Sequence, residues 1–261
     1  MLVSADGTKI AYEVTGGGPP VIIVDGAMCY RASGPSRPLA AELAADFTVY
    51  TYDRRGRGES DAGEYSVERE IEDVAALVKE AGGAVHLVGE SSGAMLALEA
   101  ANQGVGATKL AMYEPPLIVD GTHAPAPTSA LAVMQDLVAS DRRPDAVKTF
   151  MRSVDVPGVA LLMMRLLPVW KKLKGVAHTL PNDLALLEGL RQGRPLPADR
   201  WTLSVPTLVA DGGRSPEYMR NSARAMASVL PNASYQSLPG QTHLVKAGAL
   251  APVLREFLTA G

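Results

Sequence analysis

The chain has 261 residues, 47% of them hydrophobic, enough to bury a large core in one α/β domain carrying an insertion. Its net charge of −3 speaks against nucleic acid as a partner and against a polybasic membrane face. A single cysteine, Cys29, excludes an intrachain disulfide and a thiolate zinc cluster, and the four histidines lack the paired spacings of a metal site, so chemistry without cofactor or metal is expected.

The opening residues carry no basic stretch followed by an apolar core. No apolar run nears the roughly 20 residues of a bilayer span, so a soluble, cytoplasmic protein without membrane contact is expected. Residues 8–15 alternate as an edge strand, and Gly16-Gly17-Gly18-Pro19-Pro20 reads as a turn. Val21-Ile22-Ile23-Val24 is a short, fully apolar strand of the kind found at a sheet centre. A helix over 38–45 and a strand over 47–52 follow. Ser66 can cap a helix running to about residue 81, with Glu68 and Glu70 in the first turn, where the helix dipole favours negative charge.

Residues 85–88 form an apolar strand that runs into Gly89-Glu90-Ser91-Ser92-Gly93 and then an apolar helix over 93–103. This is the G-x-S-x-G pattern in the strand–turn–helix context that gives it chemical meaning. Two glycines let strand and helix pass closely, so the apical Ser91 can stand clear of the sheet edge in a strained conformation. The alternative is that Ser91 merely caps the helix. Further strands are expected at 109–113, 206–210 and 233–238, with helices at 215–230 and 247–260. This alternation predicts a mostly parallel central sheet with helices on both faces.

Between residues 117 and 200 the alternation stops. Four or five helices are expected there, among them 128–139, 144–153, 159–166 and 180–191, punctuated by Pro125-Ala126-Pro127 and Pro195-Leu196-Pro197. Such an insertion reads as a lid over the strand ends, dividing the chain into a core of 1–116 with 201–261 and a helical lid of 117–200. Met151, Met163, Met164 and Trp170 are candidates for substrate walls or for plain core residues.

Beyond the serine turn, three stretches resemble the α/β-hydrolase family, of the alpha/beta-hydrolase-1 type, over essentially the whole chain. Tyr52-Asp53-Arg54-Arg55-Gly56-Arg57-Gly58-Glu59-Ser60-Asp61 matches its D-x-R-G-x-G-x-S-D segment. Val24-Asp25-Gly26-Ala27 sits at its oxyanion turn, and Gly240-Gln241-Thr242-His243 matches the loop bearing its catalytic histidine. The resemblance implies Ser91 as nucleophile and His243 as its base, with oxyanion donors on the backbone N–H groups of Ala27 and Ser92. His86 lies inside the nucleophile strand, and His123 and His178 lie in the insertion, so structural or surface roles are expected for them. The arginines of the first motif are expected to hold its turn together.

Two departures stand out. Asp25 replaces the histidine that usually precedes the oxyanion glycine, placing a carboxylate near a site that must stabilise negative charge. The loop after strand 206–210 reads Gly212-Gly213-Arg214-Ser215-Pro216, with serine where the family carries its acid. Glu114, at the end of the preceding strand and before Pro115-Pro116, preserves the order nucleophile, acid, base. It is assigned as the acid, within about 3.2 Å of His243 Nδ1 or one water away. Asp211 is the competing acid, and the other reading of Glu114 is a salt-bridge partner at the lid hinge.

The expected activity is cofactor-free hydrolysis of an ester, lactone or thioester in a small, largely apolar molecule. Perhydrolysis or C–C bond hydrolysis would use the same residues. From another class comes a small-molecule receptor with little turnover, favoured by the displaced acid. A dehalogenase is not expected, because it needs a carboxylate where Ser91 stands. Cys29 is expected to line the pocket.

Overall fold

The computed structural model describes residues 1–260. A short hairpin, β1 (Leu2–Val3) with β2 (Lys9–Ile10), precedes β3 (Tyr12–Gly16), β4 (Pro20–Val24), α1 (Ser36–Leu43), β5 (Thr48–Tyr52) and α2 (Val67–Glu80). Then come β6 (Val85–Glu90), α3 (Ser92–Asn102) and β7 (Ala107–Tyr113). After a helical insertion the chain closes with β8 (Thr207–Gly212), α9 (Glu217–Val229), β9 (Ala233–Leu238) and α10 (Ala247–Thr259). Seven strands form one sheet in the order β3-β5-β4-β6-β7-β8-β9; β3 runs antiparallel at the edge and every other pairing is parallel.

Burial explains why β4 is apolar at successive positions. Ile22 and Val24 face a core shared with Leu87, Leu110 and Val209 under α2, α3 and α9. Val21 and Ile23 face the opposite core, with Val49, Val88 and Leu208 under α1 and α10. A strand covered on both sides needs apolar residues on both of its alternating faces. Ser66 caps α2, accepting from Arg69 N at 3.2 Å, and Glu68 and Glu70 occupy the first turn.

The insertion holds α4 (Ala130–Ala139), α5 (Arg143–Ser153), α6 (Gly158–Met164), α7 (Pro168–Val176), a 3-10 turn at Ala177–Thr179 and α8 (Leu180–Leu186). These helices share their own core, which includes Met134, Val147, Leu161, Trp170 and Leu184 and admits Met28 from the sheet domain. The flanking arms behave differently: Leu117, Val119, Leu190, Trp201 and Leu203 join the core beneath α2 and α3. The helix expected over 180–191 ends at Leu186, shortly before Gly189 takes a φ of 75°. The helix expected over 159–166 ends at Met164, and α7 restarts at Pro168, whose missing N–H is tolerated only in a first helical turn. Among the described residues no helix is long and apolar enough to cross a membrane.

The glycines beside the sheet's carboxyl edge generate a stability test. A Cβ added to Gly93 would lie 2.2 Å from the Val24 carbonyl oxygen and 2.6 Å from that of Asp25, backbone that moves only with the strand. Gly93→Ala should cost about 3 kcal/mol or more. Gly248→Ala, whose Cβ would meet nothing nearer than Glu42 Oε1 at 3.8 Å, should gain about 0.5 kcal/mol from the helix. Thermal unfolding of the two variants checks both signs.

Candidate active site

Ser91 sits between the end of β6 and the start of α3 with φ 56° and ψ −126°, a strained backbone for a residue other than glycine. It occupies the cap position of α3, but its side chain makes no capping hydrogen bond, which removes the simple helix-cap reading. Surrounding contacts impose the strain. A Cβ on Gly89 would lie 2.5 Å from Ala94 Cα, so β6 and α3 touch through the two motif glycines. Ser91 N donates to Tyr113 O at 2.9 Å, tying the turn to β7.

Glu114 and His243 meet. The end of β6 is in register with that of β7, Glu90 opposite Tyr113, so Ser91 and Glu114 follow on adjacent parallel strands. Glu114 is fully buried, and its φ of 47° turns the chain out of β7 toward Pro115. Its Oε2 lies 2.8 Å from His243 Nδ1, while its Oε1 accepts from Gly212 N at 2.7 Å. The histidine loop is seated from both sides. Tyr113 Oη donates to Thr242 O at 2.7 Å, and Gly212 packs so closely on Gln241 that a Cβ there would fall 2.6 Å from its carbonyl. The His243 side chain remains 41% exposed, open to water. Among the described residues no hydrogen bond joins the ring to Ser91; such contacts commonly tighten only once substrate is bound. Asp211 is elsewhere engaged, accepting from Tyr235 Oη and Ser237 Oγ at 2.6 Å each. Ser215, in the position the family gives to its acid, is buried with its hydroxyl unpartnered.

The turn after β4 lies directly over the serine. A Cβ on Gly26 would stand 2.9 Å from Ser91 Cβ and 3.6 Å from its Oγ, so only glycine lets the following Ala27 approach. Ser92 opens α3, where the first-turn N–H groups have no partner within the helix. The three arginines of the neighbouring motif are buried. Arg55 grips Asp73 through two contacts of 2.8 Å, and Arg54 grips Glu70 at 2.8 and 2.6 Å. These are structural roles, as the sequence suggested for this motif.

Two acids beside Ser91 behave unlike surface carboxylates. Burial pushes Asp25 up to about 6, although the Ser36 hydroxyl, 2.7 Å from its Oδ2, and the charges of Arg57 and Arg54 oppose the shift. Burial, reinforced by the charge of Asp25, pushes Glu90 up to about 8, so its carboxyl is neutral at pH 7. Glu90 is the variable residue of the serine motif, and its Oε1 is buried without a partner. Sequence reasoning passed over it because spacing says nothing about solvation. Burial also pushes the half-buried Cys29 thiol up to about 12, so it is no nucleophile near neutrality.

The other histidines are engaged away from this centre. His86 Nδ1 lies 2.8 Å from Thr108 Oγ1, His123 Nε2 lies 3.0 Å from Asp155, and His178 is half-buried beside Gly56. Trp170 is in the core of the insertion, whereas Met163 is 63% exposed on its surface. A cavity of about 520 Å³ lies between residues 126–131 and 184–194 of the insertion; neither Ser91 nor His243 lines it. Among the described residues no group of three His, Cys, Asp or Glu side chains is arranged to hold a metal ion.

The state of Glu90 carries a pH prediction. Its folded value of about 8 lies above the ordinary 4.5, so the folded chain holds this proton more tightly than the unfolded one. The associated stability is intact below pH 4.5 and drains away as pH rises through 8, at up to about 1.4 kcal/mol per pH unit. Glu90→Gln, neutral throughout, should therefore gain on the parent protein by several degrees in Tm between pH 5 and pH 9 (about 2–4 °C per kcal/mol). A constant difference in Tm across that range would contradict the assignment of Glu90 as the buried neutral acid.

Comparison with known proteins bears on the family and the fold. The sequence pattern of the alpha/beta hydrolase family matches residues 16–252. An alpha/beta hydrolase from Sphaerobacter thermophilus is 47% identical, with 99% of each chain covered and a TM-score of 0.90. The enol-lactonase from Burkholderia xenovorans LB400 shares the fold at 21% identity, covering 98% of both chains with a TM-score of 0.70. The uncharacterized hydrolase YraK of Bacillus subtilis (strain 168) is 29% identical over 167 residues, which are 62% of this chain and 60% of that protein's length. With its parallel sheet, serine turn and histidine loop in the family's order, the chain belongs to the alpha/beta hydrolase family and is an enzyme of the hydrolase class.

Proposed function

We propose that the protein is a serine hydrolase that cleaves an ester-like bond (ester, lactone or thioester) in a small, largely apolar molecule through an acyl-enzyme on Ser91. The observation that carries this reading is the 2.8 Å contact of His243 Nδ1 with Glu114, which follows the strand end adjoining the strained Ser91. In this reading His243 Nε2 takes the hydroxyl proton as Ser91 Oγ bonds to the carbonyl carbon. The Ala27 and Ser92 N–H groups receive the oxyanion, in the manner of preorganised donors. Collapse of the tetrahedral adduct expels the alcohol or thiol, which takes the proton from His243. Water, activated by the same ring, then releases the acid. Glu114 keeps the Nδ1–H tautomer and stabilises the imidazolium. The Gly212 N–H on its second oxygen fixes the carboxylate plane.

The insertion serves as the lid in this proposal. Ala27 and Met28, from the turn above Ser91, pack into its core, which supports placing it over the site. The apolar composition of that cover favours apolar acyl groups. The receptor reading drew on the absence of an acid from its usual loop; a carboxylate on the His243 ring removes that support.

Hydrolysis of p-nitrophenyl esters of two to eight carbons tests the proposal. Ser91→Ala and His243→Ala should each lower kcat/KM by about 10³-fold or more, and the double variant should be scarcely worse, because the two act as a unit. Losses that multiply would remove His243 from the role of base.

Glu114→Gln keeps the shape but not the charge and should lower kcat by roughly 10²–10⁴-fold with little change in Tm. Asp211→Asn should be far milder. An Asp211 variant as slow as the Glu114 variant would shift the assignment of the acid.

A further inference from the structure

Asp183 lies in α8, inside the insertion, yet its carboxylate reaches under the oxyanion turn of the sheet domain. It is 1% exposed. Its Oδ1 accepts from Arg54 Nη1 at 2.7 Å and from Ser92 Oγ at 2.8 Å, and its Oδ2 accepts from Arg57 Nη2 at 2.7 Å. Burial alone would raise its pKa, but the charges of Arg57 and Arg54 and the Ser92 hydroxyl outweigh burial and hold it below the usual carboxylate range. The two arginines continue to the turn itself. Arg57 Nη1 donates to Gly26 O at 2.7 Å and to Cys29 O at 3.2 Å, and Arg54 Nη1 donates to Asp25 O at 3.3 Å.

The bond to Gly26 O matters because of peptide geometry. The carbonyl of Gly26 and the N–H of Ala27 belong to one planar unit and point in opposite directions. Holding the oxygen therefore aims the N–H. A cation on the oxygen also polarises the amide and strengthens its N–H as a donor. Ser92, whose N–H is the other donor, is held through its own hydroxyl. Arg54 has Glu70 as a second carboxylate partner. For Arg57, Asp183 is the carboxylate partner found among the described residues.

We propose that Asp183 is a positioning residue for the oxyanion hole, setting the Ala27 N–H through Arg57 and the Ser92 N–H through the Ser92 hydroxyl. The inference rests on the reading of Ala27 and Ser92 as the oxyanion donors. It makes the insertion a contributor to transition-state stabilisation as well as a cover.

The test uses the full-length protein with p-nitrophenyl butyrate as substrate and an aryl trifluoromethyl ketone, whose adduct with a serine places an oxyanion in the hole. Asp183→Asn should lower kcat by about 10–100-fold with KM changed less than about threefold, the signature of an interaction made in the transition state. Inhibition by the ketone should weaken by the same factor as kcat/KM. Ser92→Ala, which keeps the N–H and removes only the hydroxyl, should lower kcat by about tenfold, and the double variant should fall short of the product of the two losses. A folded Asp183→Asn protein with kcat within threefold of the parent would overturn the proposal. So would a loss confined to KM, or one that leaves ketone affinity unchanged. If Asp183→Asn fails to fold, an unchanged kcat in Ser92→Ala overturns it alone. A parent protein that neither hydrolyses the ester nor binds the ketone would instead sink the serine-hydrolase reading beneath it.

Discussion

The close passage of three glycines around Ser91 is the constraint to which the candidate site answers. Gly89 and Gly93 let β6 and α3 meet with no side chain between them, and Gly26 lays the turn after β4 against the serine. The serine backbone is thereby driven to a φ of 56°. Nothing local would hold a non-glycine residue there, at a cost on the order of 1–3 kcal/mol. The packed sheet supplies the restraint. Since β4, β6, β7 and β8 are hydrogen-bonded in register, the Gly26 turn, Ser91 and Glu114 ride on strand ends whose places are set by the two cores beneath them, and His243 comes to them on the loop after β9.

Charge around this constraint runs mostly in one sense, with Asp25 the exception: at about 6 its carboxyl is largely ionised at pH 7, opposite the Ser36 hydroxyl and the charges of Arg57 and Arg54. Beneath the turn after β4 lie guanidinium groups whose donors end on the Asp25 and Gly26 carbonyl oxygens, which in our proposal aims the opposing N–H groups at the oxyanion. Beside the serine, where a carboxylate would oppose a developing oxyanion, the buried Glu90 stays neutral at pH 7. The buried Glu114 carboxylate meets His243 at Nδ1, on the side of the ring away from Nε2, the nitrogen that our proposal gives to Ser91. Low solvent access makes each placement count, because an unscreened charge acts strongly over a few ångströms.

How much of this the sequence discloses depends on whether the signal is local. Alternating apolar runs, the capped start of α2 and the serine turn are written in neighbouring residues and are legible. Glu114 is legible by a weaker route, from the order of strands and the serine that fills the customary acid position. Its contact with His243 spans residues far apart in the chain, and spacing alone leaves Asp211 in contention. The sheet register resolves the geometry, because Asp211 pairs with Ser237 and is taken by its neighbours on β9. Boundaries inside the insertion are blurred for a physical reason: its arms are as apolar as its helices but pack on a different core. Asp183 carries no local signal. It is one acid on a short helix, and only the folded chain brings it to Ser92 and to the arginines.

The separation of these partners has a consequence for how the chain folds. Arg54 and Arg57 precede Asp183 by 129 and 126 residues. Contacts across such loops form late, because the entropy of closing the loop must be met before the contact gives anything back. Until α8 docks, Arg57 lacks its carboxylate, and the Gly26 carbonyl is held only by an unbraced guanidinium and by the Cys29 N–H at 3.3 Å. The sheet can therefore assemble, with Ser91 already in its turn, before the oxyanion donors we propose opposite it are braced from the insertion. Native secondary structure and a competent site would then arise as separate kinetic events, and docking of α8 would complete the second.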